Sequence, residues 1–237
     1  MQLSDRLNSV AEFVTKKNRV ADVGCDHAYT SIYLVEKGIS PKVIAMDVNK
    51  GPILRAKENV HKYGYDNQID VRLSDGLTAL QEDEVDTILI AGMGGSLMVR
   101  ILTARTEVLA KVKELVLQPQ SEIYKVRMML QQYGFAITQE NMLIDEGKYY
   151  VMMKAEKVGL NNEYELYKLY RDEHFHFGRL LLENKNSILK EFLEKEHNQC
   201  IHISERLRSE ATEKSMERWN EIKEKMELIR KGLDYYD

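Results

Sequence analysis

Five short apolar runs, each ending in a small or acidic residue, limit what the first half of this chain can fold into. They are 19-RVADVG, 42-KVIAMD, 69-IDVRLSD, 86-DTILIAG and 114-ELVLQP. Each is short and mostly apolar on both faces, as expected for strands buried in a parallel sheet. Helical stretches are predicted between and after them, near 29–37, 51–63, 94–104 and 121–133. An earlier helix is expected after Ser4, a good N-cap, with Leu3, Leu7, Val10, Ala11 and Val14 as its apolar stripe. Strand–helix alternation of this kind predicts an α/β doubly wound sheet. The segment 135-FAITQENMLIDEGKYYVMMKAEK then reads as two strands joined at Asp145-Glu146-Gly147, a hairpin. A parallel sheet closed by an antiparallel hairpin is not the usual dinucleotide dehydrogenase arrangement.

From about residue 160 the strand patterns stop. Leu166, Leu169 and Tyr170 open a helical region, followed by Phe177, Leu180 and Leu181. Ile188, Leu189, Phe192 and Leu193 form one apolar stripe, and Leu207, Ala211, Trp219, Ile222, Met226 and Ile229 a later one. Asn184-Lys185-Asn186-Ser187 marks a break with Ser187 as N-cap. The expectation is a catalytic domain over 1–158 and a C-terminal all-α helical hairpin, or coiled coil, over 159–237.

Composition removes several classes. No apolar run reaches the ~20 residues of a membrane span, and the opening MQLSDRLNSVAEF is not patterned as a secretory signal. The two cysteines, Cys25 and Cys200, lie far apart, which fits a reducing cytoplasm and supports no metal site. The net charge of −4 means that any nucleic acid must be held by local basic patches.

The loop after the first strand, 22-DVGCDHAY, carries the chemistry. A diphosphate site would continue G-x-G-x-x-G, with backbone N–H groups at the phosphates and no acid nearby. Here only Gly24 remains, and Asp26 and His27 follow. Asp26 would repel a diphosphate. S-adenosylmethionine (SAM) has an ammonium, a carboxylate and a sulfonium and no phosphate, so the loop favours SAM over NAD. Alternatively, Asp26 simply caps the next helix. Asp47 ends the second strand, where a carboxylate can accept from both ribose hydroxyls. Asp75-Gly76 can approach an adenine amine or form a plain turn. The glycines of 90-IAGMGGSLM leave room for a base, bring backbone to a cofactor, or make a tight turn. Gln118 and Gln120 flank Pro119, where an amide can bond an acceptor base; Tyr29 or Tyr124 can stack on it.

LSDRL, DVGCDHAY, IAMDVNKGP, SDGL, IAGMGG and LQPQ, in this order, resemble the bacterial tRNA (adenine-22-N1)-methyltransferases (TrmK), over nearly the whole chain. The resemblance implies a Rossmann-like class I methyltransferase that moves the SAM methyl group to N1 of an adenosine in the D-arm region of tRNA. It assigns SAM binding to Asp22, Gly24, Cys25, Asp47, Val48, Asp75, Gly76 and the Ala91, Gly92, Met93 and Gly94 turn. Asp26, His27, Tyr29 and Gln118 would face the acceptor. Basic candidates for tRNA are Lys16-Lys17-Arg19, Lys50-Arg55-Lys57, Arg100-Arg105 and, on the C-terminal helices, Arg206, Arg208 and Arg218. A methyltransferase acting on a small molecule or on another RNA base is the alternative. The default expectation is a monomer.

Overall fold

A computed structural model describes residues 3–158, 170–210 and 212–237. The chain divides into two compact units, Met1–Lys168 and Leu169–Asp237. The expected boundary at 158/159 adjoins the stretch 159–169, outside the described residues, as are Leu166, Leu169 and Ala211.

The first unit is built on seven strands: β1 (Val20–Val23), β2 (Val43–Asp47), β3 (Ile69–Leu73), β4 (Thr87–Met93), β5 (Glu114–Pro119), β6 (Phe135–Asp145) and β7 (Lys148–Lys157). Their order is β3-β2-β1-β4-β5-β7-β6. The first five pair in parallel; β7 runs antiparallel to both β5 and β6. All residues of β1 and β5 are buried, which explains why they are apolar except at Asp22, Glu114 and Gln118. The edge strand β3 is only partly buried. The two-residue link Glu146-Gly147 has positive φ at both positions (49° and 75°), the backbone that twists a hairpin correctly.

The helices are α1 (Asp5–Glu12), α2 (Tyr29–Glu36), α3 (Lys50–Tyr63), α4 (Gly95–Thr103), α5 (Thr106–Lys111) and α6 (Ile123–Gln132). The Ser4 hydroxyl accepts from Leu7 N–H, as its type and position predicted. The short α5 was not expected; six residues hold too little periodicity to show in the sequence.

Helix α1 lies along β5 and is fastened at both ends. Arg6 Nη1 donates to Gln118 Oε1 (2.6 Å) at the strand's carboxyl end. At its amino end, Glu114 accepts from Thr15 N–H (3.0 Å) and from the Thr15 hydroxyl. Lys154 Nζ reaches the same carboxylate at 3.0 Å, and the Thr87 hydroxyl donates to it at 2.9 Å.

The second unit contains α7 (Asp172–Phe177), α8 (Arg179–Glu183), α9 (Ser187–Glu210), α10 (Glu213–Leu233) and a 3₁₀ turn at Asp234–Tyr236. Trp219 Nε1 donates to Ser204 Oγ (2.9 Å) and Lys225 pairs with Glu196 (2.5 Å), so α9 and α10 run antiparallel. Two details differ from expectation. The cap of α9 is Asn186, whose Oδ1 accepts from Ile188 and Leu189 N–H (3.1 and 3.0 Å), and Ser187 is the first helical residue. The apolar series from Leu207 to Ile229 is also not one stripe. A cap at Thr212, bonded to Ser215 N–H, divides it between two helices.

Candidate functional site

Backbone strain concentrates in the loop after β1. Gly24, Asp26 and Ala28 all have left-handed φ (77°, 49° and 58°). Aspartate tolerates this region better than most residues, and alanine does not, so the loop is held by its surroundings. Gly24 and Cys25 donate their N–H groups to one acceptor, Met46 O on β2, at 2.8 and 3.0 Å. Asn59 on α3 donates to His27 O (3.0 Å). A phosphate cradle aims its amides at the ligand; here two of them are spent on the neighbouring strand. The residue that enters α2 is Ala28, without a side-chain bond, so Asp26 is not the helix cap. Its carboxylate is exposed instead, with Oδ2 3.5 Å from His27 Nε2. The His27 ring stacks on Tyr29 (centroids 5.5 Å apart, planes at 26°), and Tyr29 opens to solvent.

This loop forms one wall of a cavity of about 270 Å³ at the carboxyl ends of β1 and β4. Asp22 lies at its base, buried, and accepts from Ser31 Oγ at 2.6 Å. Burial raises its pKa to about 6, against the opposing effect of the Ser31 bonds. Burial, followed by the charge of Asp22, also pushes the Cys25 thiol well above its ordinary range, so it stays protonated.

The opposite wall comes from β4, β5 and α1. The register of β4 on β5 slips between Ala91 and Met93, which makes Gly92 (φ 80°) a bulge. Gly92 N–H donates to Gln118 Oε1 (3.1 Å), the oxygen that also holds Arg6. Gln118 is fully buried and its Nε2 donates to Pro119 O (3.3 Å). Its amide therefore braces α1 and the bulge and does not open toward an acceptor base, contrary to expectation. The following glycines have a packing role. A Cβ on Gly95 would sit 2.6 Å from the carbonyl oxygens of both Ser121 and Glu122. A Cβ on Gly24 would fall 2.2 Å from Met93 Cε.

A family model described as a methyltransferase domain matches residues 3–153. The Bacillus subtilis tRNA (adenine(22)-N(1))-methyltransferase is 34% identical over 99% of this chain and 98% of its own. This chain belongs to the tRNA (adenine(22)-N(1))-methyltransferase family. The crystal structure of B. subtilis TrmK superposes with a TM-score of 0.88 at 32% identity, covering 98% of this chain and 99% of that one. A Streptococcus pneumoniae relative in complex with SAM gives 0.81 at 34%, covering 98% and 100%.

Against the tRNA (adenine(22)-N(1))-methyltransferase pattern, the cavity brings together Asp22, Gly24, Cys25, Asp26, His27, Tyr29, Ala91 and Gly92. Asp47, Val48, Asp75, Gly76, Met93, Gly94 and Gln118 do not line it. Asp47 and Val48 follow β2, with Asp47 Oδ1 accepting from Asn49 N–H (2.8 Å) and Val48 exposed. Asp75 and Gly76 follow β3, with Gly76 O bonded by Ser74 Oγ. They are thus set at neighbouring strand ends on the same edge of the sheet. Arg6, Leu7, Thr30 and Leu89 line the cavity without having been singled out, although LSDRL contains the first two. Three expected basic contacts are already engaged: Arg19 with Asp86 (2.9 Å), Arg105 with Glu107 and Thr78 O, and Arg218 with Glu221. Lys16, Lys17, Lys50, Arg55, Lys57 and Arg100 are exposed.

Proposed function

We propose that this chain transfers the methyl group of SAM to N1 of adenosine 22 in tRNA. The observation that carries the reading is the cavity itself: two acids face it, and the loop amides that would cradle a diphosphate are turned onto β2, in a chain related over its full length to an enzyme of that activity. The donor set fits a phosphate-free cofactor. Asp22 suits its ammonium, and the cavity accommodates its amino-acid end between Gly24, Cys25, Ala91 and Gly92. Asp47 with Val48 at the end of β2, and Asp75 with Gly76 after β3, take the ribose and adenine, and Met93 and Gly94 complete the turn beside them. When bound, SAM supplies an electrophilic methyl on a sulfonium.

Adenine N1 has its own lone pair, so no strong base is needed and alignment in a dry site does most of the work. The product ring is cationic. Asp26 accepts from the exocyclic amine and stabilises that charge as it develops. His27 orients Asp26, and Tyr29, stacked on His27, offers its face to the base. Gln118 acts one step removed, by holding the Gly92 bulge. Lys16, Lys17, Lys50, Arg55, Lys57 and Arg100, with Arg206 and Arg208 on the C-terminal helices, hold tRNA phosphates. Among the described residues no helix is long and apolar enough to cross a membrane and no cluster of metal-ligating side chains occurs; with tRNA as substrate, the site of action is the cytoplasm.

Labelled SAM with bulk tRNA, digested to nucleosides, should place the label in 1-methyladenosine. Asp26→Asn should lower turnover by about 100-fold or more while changing SAM affinity little. A loss of SAM binding with unchanged turnover at saturation would instead make Asp26 a cofactor residue.

A further inference from the structure

Arg6 is the only lysine or arginine among the described residues that line the cavity, and the anionic groups facing it there are Asp22 and Asp26. Its guanidinium is partly buried. One N–H goes to the neutral Gln118 amide (2.6 Å), and the group lies 5.4 Å from the centroid of the Tyr150 ring. Other arginines of the same unit that leave solvent find acids: Arg72 pairs with Glu84 (2.6 Å) and Arg127 with Glu140 (2.8 Å). Arg6 has no carboxylate partner among the described residues. Gln118 Oε1 is itself fixed by Gly92 N–H, so the arginine is aimed by the sheet. A guanidinium that spends one of five donors on an amide keeps a planar fork for a carboxylate.

We propose that Arg6 receives the carboxylate of the amino-acid end of SAM, an inference that rests on the methyltransferase reading above. The chemistry is that of a zwitterion in a two-signed cavity. The ammonium belongs on the Asp22 side and the carboxylate on the α1 side. Without Arg6 the carboxylate would face two acids across a small space, which low local dielectric makes costly. Helix α1 is thereby a ligand-binding element as well as a cover over β5.

The test is calorimetric, on the full-length chain, with SAM and with decarboxylated SAM, which lacks only the carboxylate. The unaltered protein should prefer SAM. Arg6→Met should weaken SAM about 10- to 100-fold and leave decarboxylated SAM within about threefold, with Arg6→Lys between the two. The ratio of the two affinities cancels any loss of folded protein, since the Thr15 end of α1 remains fastened. Equal weakening of both ligands would make Arg6 a packing residue and overturn the proposal. So would an unchanged ratio accompanied by weaker tRNA binding, the behaviour of a phosphate contact. Failure of the unaltered chain to bind either ligand would overturn the methyltransferase reading itself, a distinct result.

Discussion

A carboxylate removed from water stays ionised only by virtue of its neighbours, and Asp22 has little besides Ser31. Its folded-state pKa of about 6 lies above the ordinary 3.8, so between these values the folded chain holds a proton that the unfolded chain has lost. Stability contributed at this site therefore falls as pH rises from 4 to 6. Asp22→Asn should raise the melting temperature at pH 7 by a few degrees, read by differential scanning calorimetry. The same substitution should weaken SAM, because the ligand is cationic and binds the ionised form. In the unaltered protein the dissociation constant should grow as pH drops from 7 to 5, approaching about tenfold per unit below pH 6, with protons released on binding at pH 6. A flat profile would remove Asp22 from contact with the cofactor. That Asp22, Gly24 and Asp26 come together at one cavity could be read from the sequence because one loop contains all three. Arg6 could not, because Gln118, which aims it, lies 112 residues further on. Gln118 was legible as important and misread in role, since exposure is not written in a QPQ tripeptide.

At the level of elements, the loops after β4 and β5 are locked together. Gly95 N–H donates to Ser121 O (2.9 Å) and Gln120 N–H to Met93 O (2.9 Å). Gly95→Ala would press a methyl against two carbonyl oxygens and should cost about 1–3 kcal/mol, seen as an earlier urea midpoint, with α4 displaced from α6. In the second unit, the hinge of α7 is a buried imidazole. His174 Nδ1 accepts from Arg171 N–H (3.1 Å), so Nε2 carries the proton and faces Tyr235 OH at 2.6 Å. Burial lowers its pKa below the ordinary 6.5. The unfolded chain therefore takes up a proton first, and the stability of this neutral contact is lost as pH falls from 6.5 through the folded value. Amide-exchange protection factors over α7 and the 3₁₀ turn should fall between pH 7 and 5.5, and His174→Gln should flatten that response. Periodicity revealed every long element, and it revealed neither α5 nor the division between α9 and α10. There the turn is made by Thr212, one polar residue among many, where no glycine or proline interrupts the helical pattern.

Over the whole molecule, every residue that lines the cavity belongs to the first unit. Removing residues 169–237 should leave SAM affinity within about threefold while weakening tRNA binding and shallowing its salt dependence. Tight tRNA binding with an unaltered salt slope in the soluble truncated chain would place all phosphate contacts on the first unit. The strand–helix alternation made this architecture legible, because each parallel strand buried on both faces must advertise itself as an apolar run. The double fastening of α1 has a further consequence for biosynthesis. The helix is made well before its anchors: Gln118 follows Arg6 by 112 residues and Lys154 follows Thr15 by 139. At about 5–20 residues per second, the nascent chain waits roughly 7–30 s for its last anchor. Until Gln118 is made the strained loop can form and its opposite wall cannot, so a stalled or truncated translation product ending before β5 carries the DVGCDHAY loop without a closed cofactor site, and one ending before β7 has that wall with the Thr15 end of α1 still short of Lys154.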